Sequence, residues 1–353
     1  MTTLSSVKTL AESPNLKSIP PNYAFFTNSN DQLDPVSSSK DDEESIPVID
    51  FSQLSSCDHE QRSNAVHLLG KACQEWGFFM LVNHGVEERM MKAMIDACRG
   101  FFDLTEEEKR EYEGKDVLDP IRCGTSVNTS VENVFFWRDF LKIAVHPKFH
   151  SPNKPPGFSE VMEEYTREIR KLSLELLKGI SESLGLEPCY AEKALNMESC
   201  FQRLTANLYP PCPEPDLAIG MPPHSDHGLL TVLIQNGIGG LQLYHNGKWV
   251  NANAIANALL INIGDHIEVM SNGKYKSVLH RAIVNSKNTR ISIIIVNGPS
   301  PDAVVAPAPQ LIDNKSNPAA YIGMKFIDYL ELHQSNRLDG KSALDRVRIN
   351  SKN

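Results

Sequence analysis

The chain has 353 residues, 41% of them hydrophobic, and a formal net charge of -9, long enough for one large domain with additions or for two smaller ones. Its negative balance argues against a nucleic-acid binder or a polybasic membrane-surface protein, both of which need a positive field. No apolar run reaches the roughly 20 residues that span a bilayer, and the start, MTTLSSVKTLAESPNLK, lacks the apolar core of a secretory signal. A cytoplasmic protein is therefore expected, its seven scattered cysteines reduced because no CxxC pair or even-numbered framework is present.

Residues 1–45 read as an arm and a flexible connection, since 27–45 (TNSNDQLDPVSSSKDDEES) are polar and acidic. IPVIDFSQL (46–54) predicts a short strand and a turn. Ala65, Leu68, Leu69 and Ala72 recur at helical spacing, and WGFFMLVNHGV (76–86) predicts a buried strand stopped by Asn83, His84 and Gly85. His84 reads as a satisfied turn histidine. A second helix is predicted over 87–103, followed by a solvated charged end. Irregular segments over 114–157 surround a strand candidate, VFFWRDFLKI (134–143), and a long helix covers 158–185 up to Gly185. After residue 200 come short β-branched runs: RLTANLY, LLTVLIQ, GLQLYHNGKWVNAN, ALLINIG, HRAIVNS and RISIIIVNG. Their spacing predicts an antiparallel sandwich or barrel, with Asn246-Gly247 at the turn of one hairpin. A last helix is predicted over 319–336. The division is an arm at 1–45, a mainly helical region at 46–200, a β core at 201–300 and a C-terminal helical segment at 301–353.

MPPHSDHGLL (221–230) sets two histidines and an aspartate before a buried strand. On a strand, residues i and i+2 share a face, so His224 and Asp226 can aim inward together. His280, on another predicted strand, can complete a set of two imidazoles and one carboxylate, the facial pattern of non-heme Fe(II) oxygenases. A structural His–Asp hydrogen bond is the plain alternative. Arg290 and Ser292 also share one strand face beside IIIV. An arginine in such a setting needs an anion, and its planar fork suits a carboxylate. Either a dicarboxylic cosubstrate or an internal Arg–Asp or Arg–Glu bridge satisfies it.

Taken together, IPVIDFSQL, ACQEWGFFMLVNHGV, NLYPPCPEPDLAIG, HSDHGLLTVLIQ, GLQLYHNGKWV, NIGDHIEVMSNGKYKSVLHRAIVNS, RIS and LDGKSALDRVRI resemble, in order, the plant 2-oxoglutarate- and Fe(II)-dependent dioxygenases. This is the group of flavonol synthases, downy-mildew-resistance-type oxygenases and hydroxycoumarin-forming hydroxylases. The resemblance implies an α+β fold: a double-stranded β-helix (jelly-roll) core with a helical N-terminal region packed on it. It also implies that His224, Asp226 and His280 bind Fe(II), and that Arg290 and Ser292, with Asn207 and Tyr209, bind the cosubstrate 2-oxoglutarate. The implied reaction consumes O2 and releases succinate and CO2, with ascorbate as reductant and a small-molecule substrate; no nucleic acid or membrane partner is implied, and a monomer is expected.

By the same resemblance the substrate pocket is lined around Cys123–Asn128, along the strand bearing Phe135, Trp137 and Phe140, just after the HxD at His227, and on the terminal helix at Phe326 and Tyr329. The lining reads as apolar and aromatic without a second cationic clamp, which favours a neutral or weakly acidic aromatic or terpenoid metabolite. Strand alternation points His227 away from the metal, toward a rim or structural role. Asp265 reads as a turn former. Hydroxylation is the leading reaction, with desaturation or O-demethylation, an ascorbate-dependent oxidase or an inactive ligand-binding relative as alternatives.

Overall fold

The computed structural model of the chain describes residues 5–25, 45–114, 116, 118–127, 132–335 and 340–349. Apart from Ser45, the connection expected at 27–45 lies outside the described residues, as does Asn128. The first half runs α1 (Val7–Ala11), β1 (Val48–Asp50), α2 (Phe51–Leu54), α3 (His59–Glu75), β2 (Phe78–Val82), α4 (Glu88–Phe102), α5 (Glu106–Lys109), β3 (Ile121–Thr125), β4 (Asp139–His146) and α6 (Phe158–Ser183). The second runs α7 (Tyr190–Ala194), β5 (Phe201–Tyr209), β6 (Met221–His224), β7 (Leu230–Gln235), β8 (Leu241–His245), β9 (Lys248–Asn251), β10 (Leu259–Ile263), α8 (Asp265–Met270), β11 (His280–Ala282), β12 (Arg290–Gly298), α9 (Phe326–Ser335) and α10 (Ser342–Val347).

An eight-stranded sheet has the order β1-β2-β10-β7-β12-β5-β4-β3, and it faces a four-stranded sheet, β6-β11-β8-β9. Within the large sheet only β1 and β2 pair in parallel. The result is the α+β jelly-roll with helices outside. Strands from before and after residue 200 pair into one sheet, β4 lying beside β5.

Alternation on the central strand decides what each face does. Ile291, Ile293 and Ile295 enter a core with Leu172, Leu176 and Ile180 of α6, while Arg290, Ser292 and Ile294 line a cavity toward the small sheet. Burying an isoleucine side chain contributes about 2 kcal/mol, so the α6 contact fixes the register, and the register places the polar row inward.

Two boundaries differ from the sequence expectation. The strand predicted over 134–143 begins at Asp139, because Phe135 and Trp137 instead dock on the N-terminal arm, with Phe135 N–H donating to the Asn22 carbonyl at 2.8 Å. The last helix begins at Phe326 rather than 319, because Met324–Lys325 forms a ladder with Val304–Val305. Among the described residues no helix is long and apolar enough to cross a membrane.

Glu268 of α8, 1% exposed, ties the C-terminal segment to the core. It accepts from Ser277 N–H (2.8 Å), Tyr321 O–H (2.8 Å), Lys341 Nζ (2.9 Å) and Arg348 Nη2 (3.1 Å). Burial opposes its ionisation, but Lys341 and the hydrogen bonds hold the carboxyl below its ordinary 4.5. A depressed folded pKa gives stability that is present above the unfolded value and lost as pH falls through the folded one. Glu268→Gln is therefore expected to lower unfolding free energy by about 1–3 kcal/mol at pH 7, a deficit that shrinks on acidification below pH 4.5 in paired denaturation curves. Ile293→Ala should cost about 2–5 kcal/mol, whereas Ile322→Ala, 49% exposed in the native chain, should stay within about 0.5 kcal/mol of wild type.

Candidate active site

His224 ends β6, and β11 pairs antiparallel to it with His280 directly opposite His224. Asp226 lies just past the strand end, yet the three side chains converge. One ligand atom from each lies within 4.8 Å of the others, and Asp226 Oδ1 stands 3.7 Å from His224 Nε2 and 3.6 Å from His280 Nε2. Each ring has its other nitrogen occupied: Nδ1 of His224 donates to the Pro222 carbonyl (2.8 Å) and Nδ1 of His280 to that of Val278 (3.1 Å). That fixes the tautomer with Nε2 as the free lone pair. Asn262 Nδ2 donates to Asp226 Oδ2 at 2.9 Å, which turns Oδ1 toward the imidazoles.

The electrostatics suit a divalent cation. Burial, followed by the nearby His280, pushes His224 down to about 3 and keeps it neutral. Burial would raise Asp226, but the two histidines and Asn262 hold it well below the carboxylate range. Burial would lower His280, and the Asp226 carboxylate raises it instead. Two neutral nitrogens and one carboxylate oxygen on one side of a cavity form a facial donor set with room for further ligands.

The loop after Asp226 is held by the start of α8. Asp265 N–H donates to the Asp226 carbonyl (2.8 Å), His266 N–H to the Gly228 carbonyl (2.9 Å), and Gly228 N–H to His266 Nδ1 (3.2 Å). The backbones approach so closely that a Cβ on Gly264 would sit 2.5 Å from the Gly228 oxygen. Asp265 is more than a turn former, because its Oδ2 accepts from Tyr329 O–H at 2.6 Å in the interior.

Within the same cavity lie Asn207, Tyr209, Arg290 and Ser292. Register sets them in two pairs, Arg290 beside Tyr209 and Ser292 beside Asn207. Arg290 is 2% exposed, lies 5.1 Å from the Tyr209 ring centre and donates Nη2 to Gln235 Oε1 at 2.9 Å. Its Nε and the Oδ1 of Asn207 have no partner, and Asn207 Nδ2 donates to Ser292 Oγ at 3.3 Å. Among the described residues no carboxylate pairs with Arg290, so the internal bridge left open by the sequence is not formed. A buried unpaired guanidinium costs several kcal/mol and marks a place for an anionic ligand.

The other six sequence candidates do not line this cavity. Cys123 points to the helix-side core and donates Sγ–H to the Lys109 carbonyl (3.4 Å). Phe135 packs edge-on to Tyr23, and Trp137 does the same while donating Nε1 to the Pro210 carbonyl (3.1 Å). His227 faces His333 and Phe326, and Phe326 and Tyr329 both pack on His266. Phe78, Leu233, Leu241 and Ile294 supply the apolar part of the lining. On β3–β5 the residues that share the Asn207 face include Lys142, Thr205 and Arg203, with Arg138 just before β4. A larger groove of about 550 Å³, between α4, the end of β7 and the segment 252–260, contains no member of the triad.

A jelly-roll carrying two imidazoles, one carboxylate and a buried guanidinium around one cavity is built as a non-haem iron oxygenase. Comparison with known proteins agrees. Residues 198–299 match the 2OG-Fe(II) oxygenase superfamily, and residues 46–163 match the family described as non-haem dioxygenase in morphine synthesis N-terminal. The 2-oxoglutarate-dependent dioxygenase 19 of Oryza sativa subsp. japonica is 46% identical over 305 residues, covering 86% of this chain and 90% of that one. Protein DOWNY MILDEW RESISTANCE 6 of Arabidopsis thaliana is 37% identical over 335 residues, covering 93% and 94%. The crystal structure of JOX2 in complex with 2OG, Fe, and JA superposes with a TM-score of 0.87 at 31% identity, covering 98% of both chains.

The chain belongs to the plant 2-oxoglutarate- and Fe(II)-dependent dioxygenase family. It is an oxidoreductase that uses Fe(II) and 2-oxoglutarate on a small plant metabolite.

Asn262 is not among the residues that the sequence singles out, and its one signal there is a polar side chain between Ile261 and Ile263 in LLINIG. Asn262→Ala frees Asp226 to rotate, and is expected to weaken Fe(II) or Co(II) binding by about 10–100-fold in an equilibrium titration. Unchanged affinity would show that Asn262 does not orient the carboxylate.

Proposed function

We propose that the protein hydroxylates its substrate by the stoichiometry RH + O2 + 2-oxoglutarate → ROH + succinate + CO2, with ascorbate keeping the metal reduced. The carrying observation is the convergence, in one buried cavity, of the His224–Asp226–His280 donor set with the unpartnered Arg290 and Asn207 groups. In this reading His224, Asp226 and His280 hold Fe(II), which supplies the redox centre at which dioxygen is activated.

The chain's own groups do the positioning. Arg290 offers its unpartnered Nε to the distal carboxylate of 2-oxoglutarate, and Ser292 Oγ adds a donor on the same strand face. Tyr209, whose ring lies against the guanidinium, limits where that carboxylate can sit, and a Cβ on Gly220 would come within 2.6 Å of this ring. Asn207 bridges to Ser292 and keeps its carbonyl oxygen for a donor. Ile294, Leu233 and Leu241 form the apolar side of the cavity, excluding water from the reacting groups.

Two substitutions separate the roles. Arg290→Leu is expected to weaken 2-oxoglutarate binding by about 30–1,000-fold, the loss of a buried charge-assisted contact, while metal affinity changes less than about threefold. His224→Ala should lose metal binding and all succinate formation. The assay couples succinate to product mass across phenolics, coumarins, flavonoids, alkaloids and terpenoids. A product heavier by one oxygen, formed one-for-one with succinate, supports hydroxylation; loss of two hydrogens or of a methyl group assigns desaturation or demethylation instead. Arg290→Leu protein that binds 2-oxoglutarate normally would contradict the assignment of the clamp.

A further inference from the structure

On the face of the large sheet that bears Asn207, beside the cavity lining rather than in it, stand three cations beyond the one that 2-oxoglutarate uses. Strand register sets Phe140 opposite Asn207 and Lys142 opposite Thr205, with Arg203 two residues along β5 on the same face. By the same alternation Arg138 lies on that face, and its Nη1 reaches Met221 Sδ, a cavity-lining atom group, at 3.1 Å. Arg138 is 0% and Arg203 4% exposed. Among the described residues none of Arg138, Lys142 or Arg203 forms an ion pair, and Nε and Nη2 of Arg138 have no hydrogen-bond partner. The adjacent Asp139 does not serve them: its carboxylate is turned to the other face, accepting from Val7 N–H (2.9 Å), Lys8 N–H (2.8 Å) and Thr125 O–H (2.6 Å).

Aromatic rings give these cations their main contacts. Phe140 lies 5.0 Å from the Arg138 guanidinium carbon and 5.2 Å from Lys142 Nζ, and Phe201 lies 4.9 Å from that of Arg203. Such contacts recover only a fraction of the cost of burying a cation. Burial, and then Arg138, Arg203 and Arg122, push the Lys142 amine well below its ordinary value, as mutual repulsion requires. A fold has little reason to gather these charges on its ligand face unless an anion visits them.

We infer that Lys142 and Arg203, with Arg138 beside them, form a second anion subsite that holds a carboxylate of the organic substrate. The inference rests on the assignment of the triad and of Arg290 in the preceding reading, and makes the substrate a carboxylic acid rather than a neutral metabolite. The Lys142 column is separated from the Ser292 column by β5, roughly 10 Å at two strand spacings. The two carboxylates therefore occupy separate subsites, with the Phe140 face between them as a platform for the body of the substrate.

The test uses full-length protein loaded anaerobically with Fe(II) and saturating 2-oxoglutarate, so that the Arg290 clamp is filled. Thermal unfolding is followed with benzoate, phenylacetate, cinnamate, 1-naphthoate and cyclohexanecarboxylate at 1 mM, each beside its methyl ester. At least one acid is expected to raise Tm by about 2 °C or more through preferential binding to the folded state, with its ester inert. Lys142→Met and Arg203→Met should abolish that shift, and Lys142→Arg should restore most of it. Without ligand, Lys142→Met should melt at or above wild type, because a repelled charge has been removed; a lower Tm would mark a structural cation instead. Esters that match their acids, an acid shift that survives both Met variants, or no shift from any acid would overturn the subsite. The 2-oxoglutarate shift, read separately, keeps the two assignments apart: its loss in Arg290→Leu supports the clamp, and its loss only in Lys142→Met would mean that the clamp was misplaced.

Discussion

The period-two alternation of β12 sends Ile291, Ile293 and Ile295 to one face of the large sheet and Arg290, Ser292 and Ile294 to the other. Its odd-numbered isoleucines are committed to α6 by apolar burial, so its even-numbered residues have no choice but to face the small sheet. Pairing then propagates this parity to β5 and β4 on one side and to β7 and β10 on the other. Every polar group that concerns the reaction on the large sheet, from Asn262 to Arg290 and Lys142, inherits its direction from that one packing contact. A slip of one residue would send them all into the helix-side core, where their desolvation could not be met.

Preorganisation is built in a second layer behind the donors. The carbonyls of Pro222 and Val278 set the two imidazoles, and Asn262 sets the carboxylate. The loop bearing Asp226 is pinned to the first turn of α8, whose Glu268 in turn fastens the C-terminal segment. This chain of short contacts holds the donor set in place before any ligand arrives, which limits the ordering cost of binding. It also explains why His266 and Tyr329, which face the loop from behind, matter for the site without lining it.

Much of the site was legible because its chemistry is local in sequence. His224 with Asp226, and Arg290 with Ser292, are spaced at two residues, and the β-branched runs around them announce strands. The jelly-roll texture after residue 200 and the long helix at 158–185 were equally readable, since strong periodicity identifies element type. The substrate side was not. There the relevant parity depends on where β4 begins, and the continuous apolar run does not show that Phe135 and Trp137 precede it. Cys123 faces the helix-side core, and it is its neighbours Arg122 and Gly124 that share the inward parity. Lys142 on β4, Arg138 just before it and Arg203 on β5 come from segments far apart in sequence, and nothing local shows that they share a face. Docking of the N-terminal arm on Trp137 is likewise a long-range contact with no local signal.

Anomalous diffraction at the iron edge, from crystals grown anaerobically with Fe(II) and 2-oxoglutarate, locates the metal and its cosubstrate directly. A single strong peak is expected, bounded by Nε2 of His224, Nε2 of His280 and Oδ1 of Asp226, with the distal carboxylate of 2-oxoglutarate on Arg290 and Ser292. Iron held elsewhere, or that carboxylate resting on Lys142 and Arg203 instead, would overturn the assignment of the triad and the clamp.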